Sequence, residues 1–397
     1  MVGTHDEAGS QGAARTAASR LLSTTDIWSD APSPPPPPKP VPEPVPVSPP
    51  APQPDRVAQA PVTVEVVTTA APARPRSDQW PPRKLSLALQ GGGTFAAFTW
   101  GVLERLLEEP SIAIDTISGA SAGAINALLL ASGLAEGGRE GARSRLNRFW
   151  LRLMHEASFR SLMLLGGFSP AGSSVAFGPT LRSGQFDPFD LDPLRQALAR
   201  DIDFAALREA RCPKLLIAAT RIRDGQQQIF RNDAVTADVA LASTCPPLVH
   251  CAVEIDGEAY WDGGFGGNPP LVKLVQESST SDLLLIQVTP ARDSYVPITL
   301  AAIDRRLDQI AANAALEAEI AAIEWAKVHA APSLRLSRIA AEDSVDGLAQ
   351  RSSTDLGRGF IRTLHRSGRE AAERWLGQGA DGAEARRALP AAEPALA

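Results

Sequence analysis

The run Gly119-Ala120-Ser121-Ala122-Gly123 spells G-x-S-x-G, the turn that lifts a nucleophilic serine between a strand and a helix. Residues 112–117 before it predict a short strand and residues 124–130 after it predict a helix, so the motif stands in the context its chemistry needs. Small residues on either side let the backbone turn sharply at the serine. The pattern recurs by chance in a chain rich in Gly, Ala and Ser, and it gains meaning from two further segments. Upstream, the apolar run 85–89 leads through Gln90 into Gly91-Gly92-Gly93 and then into residues with helical spacing. Glycines at such a junction expose backbone N–H groups near a helix N-terminus, which suits a developing negative charge. Downstream, Asp262-Gly263-Gly264 closes a strand-like run, and a carboxylate there is free to point into a shared site. A hydroxyl, a carboxylate and a row of amide donors are the parts of an acyl-transfer site.

In this order the motifs resemble the patatin-like phospholipase family: a triple glycine, a G-x-S-x-G serine, then a D-G-G aspartate. Residues 242–247 and 282–288 are also similar to it, and the resemblance covers residues 83–380. It implies a three-layer α/β/α fold with a largely parallel central sheet. It also implies a serine acyl hydrolase acting on lipid or other long-chain acyl esters through a Ser-Asp dyad. Ser121 would be the nucleophile and Asp262 the group that accepts its proton directly. Gly91, Gly92 and Gly93 would form the oxyanion hole. Gly119 and Gly123 would shape the nucleophile elbow, and Gly263 and Gly264 would support the aspartate. No cofactor and no metal is expected. One departure concerns the residues after the glycines, where many members carry Lys or Arg followed by Gly. Phe95 and Ala96 stand there in this chain, which leaves the backbone donors intact but removes a cation that could touch a lipid phosphate.

A dyad is chemically demanding. An ordinary aspartate, with a pKa of roughly 3.9, is a weak base for a hydroxyl. Desolvation would raise it, and a short hydrogen bond would position it. The histidines that could make a triad instead are His5, His155, His250, His329 and His365. His250 stands nearest a motif, and a partly buried structural histidine is the simpler reading for it. The glycine run could alternatively cradle a pyrophosphate. It does not spell G-x-G-x-x-G, and Asp115 lies inside the next predicted strand, not at its end where a ribose ligand belongs. Asp262-Gly263-Gly264 alone would read as a turn. Asn268, before Pro269-Pro270, reads as a turn or cap residue, with bracing of the Asp262 loop as the lesser alternative.

The elements that must position these groups follow from periodicity. Strands are predicted at 85–90, 112–117, 214–219, 258–262, 283–288 and 334–338. Helices are predicted at 94–107, 124–134, 142–153, 195–200, 303–330 and 369–376. Alternation of the two argues a largely parallel sheet covered on both faces, with reactive residues beyond the carboxyl ends of strands. In 303–330, Ile303, Leu307, Ile310, Leu316, Ile320 and Ile323 are expected to face the sheet. Residues 159–184 read as a long loop that either forms an apolar lid or packs on the core. Residues 1–82 read as a disordered Ala/Pro-rich arm, 83–380 as the acyl hydrolase domain and 381–397 as a flexible tail.

The chain has 397 residues and a formal net charge of -6, which argues against a nucleic-acid partner and against strong general attraction to an anionic membrane. Cys212, Cys245 and Cys251 are an odd number without C-x-x-C spacing and read as reduced thiols. No secretory signal and no membrane-spanning run is read in the chain. A cytoplasmic protein is therefore expected, with peripheral membrane contact open. A reading from another class is a lipid-binding interaction protein with a Pro-rich recruitment arm and little turnover. The conjunction of Ser121, Asp262 and the triple glycine weighs for the hydrolase, since binding alone gives no reason for all three. Acyl-chain preference, positional selectivity and oligomeric state are not readable from the sequence.

Overall fold

The computed structural model describes residues 80–160, 192–245, 252–329, 331 and 333–378. The arm as far as residue 79, most of the 159–184 loop, Pro246, Pro247, His250, Cys251 and the 381–397 tail lie outside them.

The strands are β1 (Lys84–Leu89), β2 (Ala113–Gly119), β3 (Lys214–Arg221), β4 (Gln227–Phe230), β5 (Val253–Ile255), β6 (Glu258–Asp262), β7 (Asp282–Gln287) and β8 (Arg335–Ala340). They form one sheet in the order β5-β6-β3-β2-β1-β7-β8, with β4 also paired to β3. Strands β3, β2, β1, β7 and β8 are mutually parallel, whereas β4, β5 and β6 join antiparallel. The central strands read as nearly continuous apolar runs because both their faces are covered. Leu85, Leu87 and Leu89 of β1 belong to one core cluster, and Ala88 belongs to the other.

The larger core lies under α1 (Ala96–Leu107), α2 (Ala122–His155), α4 (Ala237–Thr244) and α7 (Arg358–Gly377), with α3 (Asp192–Asp201) at its margin. The smaller lies under α5 (Leu271–Glu277) and α6 (Leu300–His329), which contribute Leu271, Leu274, Leu316 and Ile323. The result is the three-layer α/β/α arrangement.

Several elements differ from the sequence expectation. β4 and β5 are too short to carry a period, and α4 and α5 span only two turns each. The helices expected at 124–134 and 142–153 belong to α2, broken where Gly137 and Gly138 leave helical geometry (φ −130° and 62°). α7 begins at Arg358, well before the expected 369. In α6 only Gln309, Asn313, Leu316 and Ile323 are buried. Ile303, Leu307 and Ile310 face outward, contrary to the expectation that they cover the sheet. The cause is polar anchoring: Gln309 Nε2 donates to Ala349 O (2.9 Å) and Asn313 Nδ2 to Pro290 O (3.0 Å), which turns the apolar stripe of the first half away.

Register sets the geometry of the site. Gly119 pairs with Ile217, and two residues further along β3 Ala219 pairs with Asp262. Asp262 thus lies level with position 121, although β6 runs antiparallel to its neighbour. Asp115 lies at the opposite, amino-terminal end of the central strands, pairing with Lys84 Nζ (2.9 Å) and accepting from Ser279 N–H (2.7 Å).

Helix α2 can approach β1 because Gly123 has no side chain; a Cβ there would come within 2.2 Å of Leu89 O. Gly123→Ala is expected to lower stability by about 1–3 kcal/mol, as overpacking does. An unchanged thermal midpoint would show that the two elements are not in this contact.

Candidate active site

Ser121 sits between β2 and α2 with φ 54° and ψ −133°, a backbone conformation that a residue with a Cβ rarely adopts. Such a conformation costs of order 1–3 kcal/mol and persists only where its surroundings enforce it. Here Ser121 N–H donates to Ser243 O (3.1 Å), at the end of α4. A serine before a helix usually turns its hydroxyl back to cap the first turn. Ser121 makes no such bond. Its Oγ instead donates to Asp262 Oδ2 at 2.8 Å.

Asp262 is buried, and its other oxygen, Oδ1, accepts from Gly264 N–H at 2.7 Å. Its own N–H donates to Cys245 O (2.9 Å), and its carbonyl accepts from Thr220 Oγ1 (2.8 Å). Burial pushes the carboxyl up to about 7, against the opposing pull of the Gly264 N–H and the Ser121 hydroxyl. Gly263 packs where a Cβ would strike Ala218 O at 2.2 Å, so the chain leaves β6 tight against β3.

The glycine loop lies across from this pair. The structure separates the three glycines that were expected to act alike. Gly91 is pinned: its N–H donates to Asn268 Oδ1 (2.6 Å), and its carbonyl accepts from Asn268 Nδ2 (3.2 Å) and Thr289 Oγ1 (3.1 Å). The Gly91 amide is thus already engaged by Asn268, and this residue anchors the loop. The N–H groups of Gly92 and Gly93 have no acceptor among the described residues, and both glycines line the cavity that holds Ser121.

Asn268 ties the segment after Asp262 to the glycine loop, the bracing offered above as the lesser alternative to a turn or cap. Gln90 supports the loop from below, accepting from the N–H groups of Val288 and Thr289 (both 2.9 Å). Its Nε2 and that of Gln287 donate to Asn313 Oδ1 (3.2 and 2.8 Å). None of these amides had a motif to mark it; the one signal was Asn268 standing just before a Pro-Pro pair.

The cavity has a volume of about 670 Å³ and is lined by Gly91–Gly93, Phe95, Ser121, Asp262 and Asn268 on one side. Its opposite wall comes from α6 and from residues 351–354. Among the described residues no histidine lines it. His365 Nε2 pairs with Glu104 Oε2 (2.6 Å), and His329 Nδ1 contacts Trp325 O (2.8 Å). Gly119 and Gly123 flank the serine as expected, and Gly264 reaches both Asp262 and the cavity.

Residues 87–275 match the patatin-like phospholipase family model. Among solved structures the chain is similar to VipD from Legionella pneumophila (14% identity, TM-score 0.41), covering 76% of this chain and 68% of that one. It is also similar to the type III effector protein ExoU (16% identity, TM-score 0.32) and to ExoU in the ExoU–SpcU complex of Pseudomonas aeruginosa (17%, TM-score 0.30). These alignments cover 75% of this chain in both cases and 54% and 52% of the respective ExoU chains. No curated protein matches the chain.

An acid whose folded pKa is about 7 against an ordinary 3.8 binds more protons folded than unfolded between those limits, so its contribution to stability falls as pH rises through them. Asp262→Asn removes that loss. The variant is expected to melt no lower than wild type at about pH 8, and its midpoint should fall less between about pH 4 and 8. A steeper fall in the variant would contradict the burial account of this carboxyl.

Proposed function

We propose that this chain is a lipid-hydrolysing enzyme of the patatin-like phospholipase type, with Ser121 and Asp262 as its catalytic pair, a reading supported by the family-model match at residues 87–275. The observation that carries this reading is the 2.8 Å hydrogen bond from Ser121 Oγ to a buried carboxylate, inside a cavity also lined by Gly92 and Gly93, whose amides have no acceptor among the described residues. Ser121 Oγ attacks the ester carbonyl carbon as its proton passes to Asp262 Oδ2. The tetrahedral oxyanion forms against the Gly92 and Gly93 N–H groups, aided by the positive end of α2. Collapse breaks the ester C–O bond, and the departing alcohol takes the proton from Asp262. Water then attacks the acyl-Ser121 ester and gives its proton to Asp262. Release of the acid returns that proton to Ser121. The raised pKa of Asp262 supports the role of base, since a group titrating near the working pH exchanges protons most effectively.

The rim of the cavity supports contact with a lipid surface. Phe265 and Leu300 line the cavity and are also exposed, and beside Leu300 stand Val296 and Ile298, the latter 90% exposed. Exposed apolar side chains on and next in sequence to the cavity lining suit partial insertion among acyl chains. We assign this rim to peripheral contact with a neutral lipid surface, in keeping with the net charge of -6.

Ser121→Ala should abolish labelling by a fluorophosphonate probe and ester turnover, and Asp262→Asn should lower kcat by at least about a hundredfold. The wild-type kcat/KM should rise with pH along a limb of apparent pKa about 7. Absence of labelling in folded protein would favour the binding-module reading. For the rim, Val296→Asp with Ile298→Asp should reduce co-sedimentation with phosphatidylcholine vesicles several-fold; undiminished binding would remove the rim from the membrane contact.

A further inference from the structure

Helix α6 presents three faces. One packs on the sheet through Leu316 and Ile323, and a second lines the cavity through Ala301, Asp304 and Asp308. The third faces outward and is apolar along the whole helix. Positions 300, 303, 307, 310, 314, 318, 321, 325 and 328 are Leu, Ile, Leu, Ile, Ala, Ala, Ala, Trp and Val, and each is exposed. At about 100° per residue these positions fall within an arc of about 80°, and no other residue of α6 falls there. Steps of three and four are the spacing of a coiled-coil seam. The stripe meets the cavity face only at Leu300.

The stripe is self-complementary. Its spacings, 3-4-3-4-4-3-4-3, read the same from either end, with Ala314 at the centre. An antiparallel copy therefore sets every stripe residue opposite another. Ala314 meets itself, Ile310 meets Ala318, Leu307 meets Ala321, Ile303 meets Trp325 and Leu300 meets Val328. Large side chains face alanines on both sides of the centre, the alternation that fills a helix–helix seam. A parallel copy would set alanine on alanine and leave a gap through the middle. Arg306 and Glu324 share one flank of the stripe. The antiparallel match brings Arg306 of one copy within about 3 Å, along the axis, of the level of Glu324 of the other, so opposite charges border the seam. The large stripe side chains are 38% to 79% exposed. Their free surface and that of the three alanines amount to roughly 800 Å², the share each partner gives to a stable specific interface. A typical monomer exposes no apolar patch of that size.

We propose that this chain forms a two-fold dimer in which α6 packs antiparallel against α6 of a second copy, centred on Ala314. The proposal is independent of the catalytic reading. Lipid makes no demand on the order of large and small residues along a stripe, whereas a second copy does, and the order here is the one it demands. The contact is isologous, so each half of the stripe is used twice. A two-fold axis normal to the helix pair also leaves the cavity-lining face of α6 on the same side of the pair in both copies.

Sedimentation equilibrium of the full chain tests this. The wild type at micromolar concentration should show twice the mass of one chain. Leu307→Lys and Ala321→Glu, both at exposed positions, should each keep the thermal midpoint of one folded chain and weaken self-association at least about tenfold. Mixed in equal amounts, the two variants should associate more tightly than either does alone. In the mixed pair Lys at 307 faces Glu at 321, and the second contact keeps Leu307 against Ala321. Ile310→Lys with Ala318→Glu repeats the design one step nearer the centre, should either first variant fail to fold. A monomeric wild type overturns the proposal. Loss of vesicle co-sedimentation in Leu307→Lys would then assign the stripe to lipid. Dimers undiminished in the folded single variants, or a mixture no tighter than its components, overturn the antiparallel contact and the proposal with it.

Discussion

A single hydrogen bond between a serine and a buried carboxylate organises much of this molecule. Bringing Ser121 Oγ within 2.8 Å of Asp262 requires a strained serine backbone, a desolvated acid and a strand that runs against its neighbour, all enforced by surrounding contacts. Burial alone would leave the carboxylate too costly to ionise. The Gly264 N–H and the Ser121 hydroxyl return part of what water would have given, which holds the group at an intermediate proton affinity. The absence of a cap on α2 belongs to the same arrangement, because the hydroxyl that would have closed the helix is directed to Asp262.

The glycine loop is held with equal care and by different means. Its flexibility is removed at Gly91, where the side chains of Asn268 and Thr289 take both the amide and the carbonyl. The next two glycines keep their amides open. Gln90, Gln287 and Asn313 form a buried amide network beneath them that links the ends of β1 and β7 to α6. Preorganised donors of this kind need no rearrangement when charge develops.

The parts of this design that were legible in the sequence are those with local signatures. The triple glycine, the G-x-S-x-G turn and the D-G-G corner each carry a backbone constraint that only small residues satisfy, and the long apolar strands announce a sheet covered on both faces. What escaped was of two kinds. Short antiparallel pieces such as β4 and β5 have too few residues to show a period. Gln90 acts through partners about 200 residues away, and Asn313 joins it to Gln287 and Pro290, so no local pattern in the chain reveals the match. The apolar stripe at the start of α6 misled for a related reason: periodicity tells which residues share a face, but two polar side chains decided where that face points.

The tie between Thr94 and Ser353 joins segments far apart along the polymer. Ser121, Asp262 and the glycines all fall within residues 87–275, whereas the facing wall from α6 and 351–354 lies wholly after them. On the catalytic pair proposed above, the serine, the acid and the glycine loop come from one length of the molecule, and other walls of the same cavity come from a later one. Under that proposal, substitutions confined to residues 300–329 and 351–354 would reshape the cavity wall and leave the serine, the acid and the glycine loop in place.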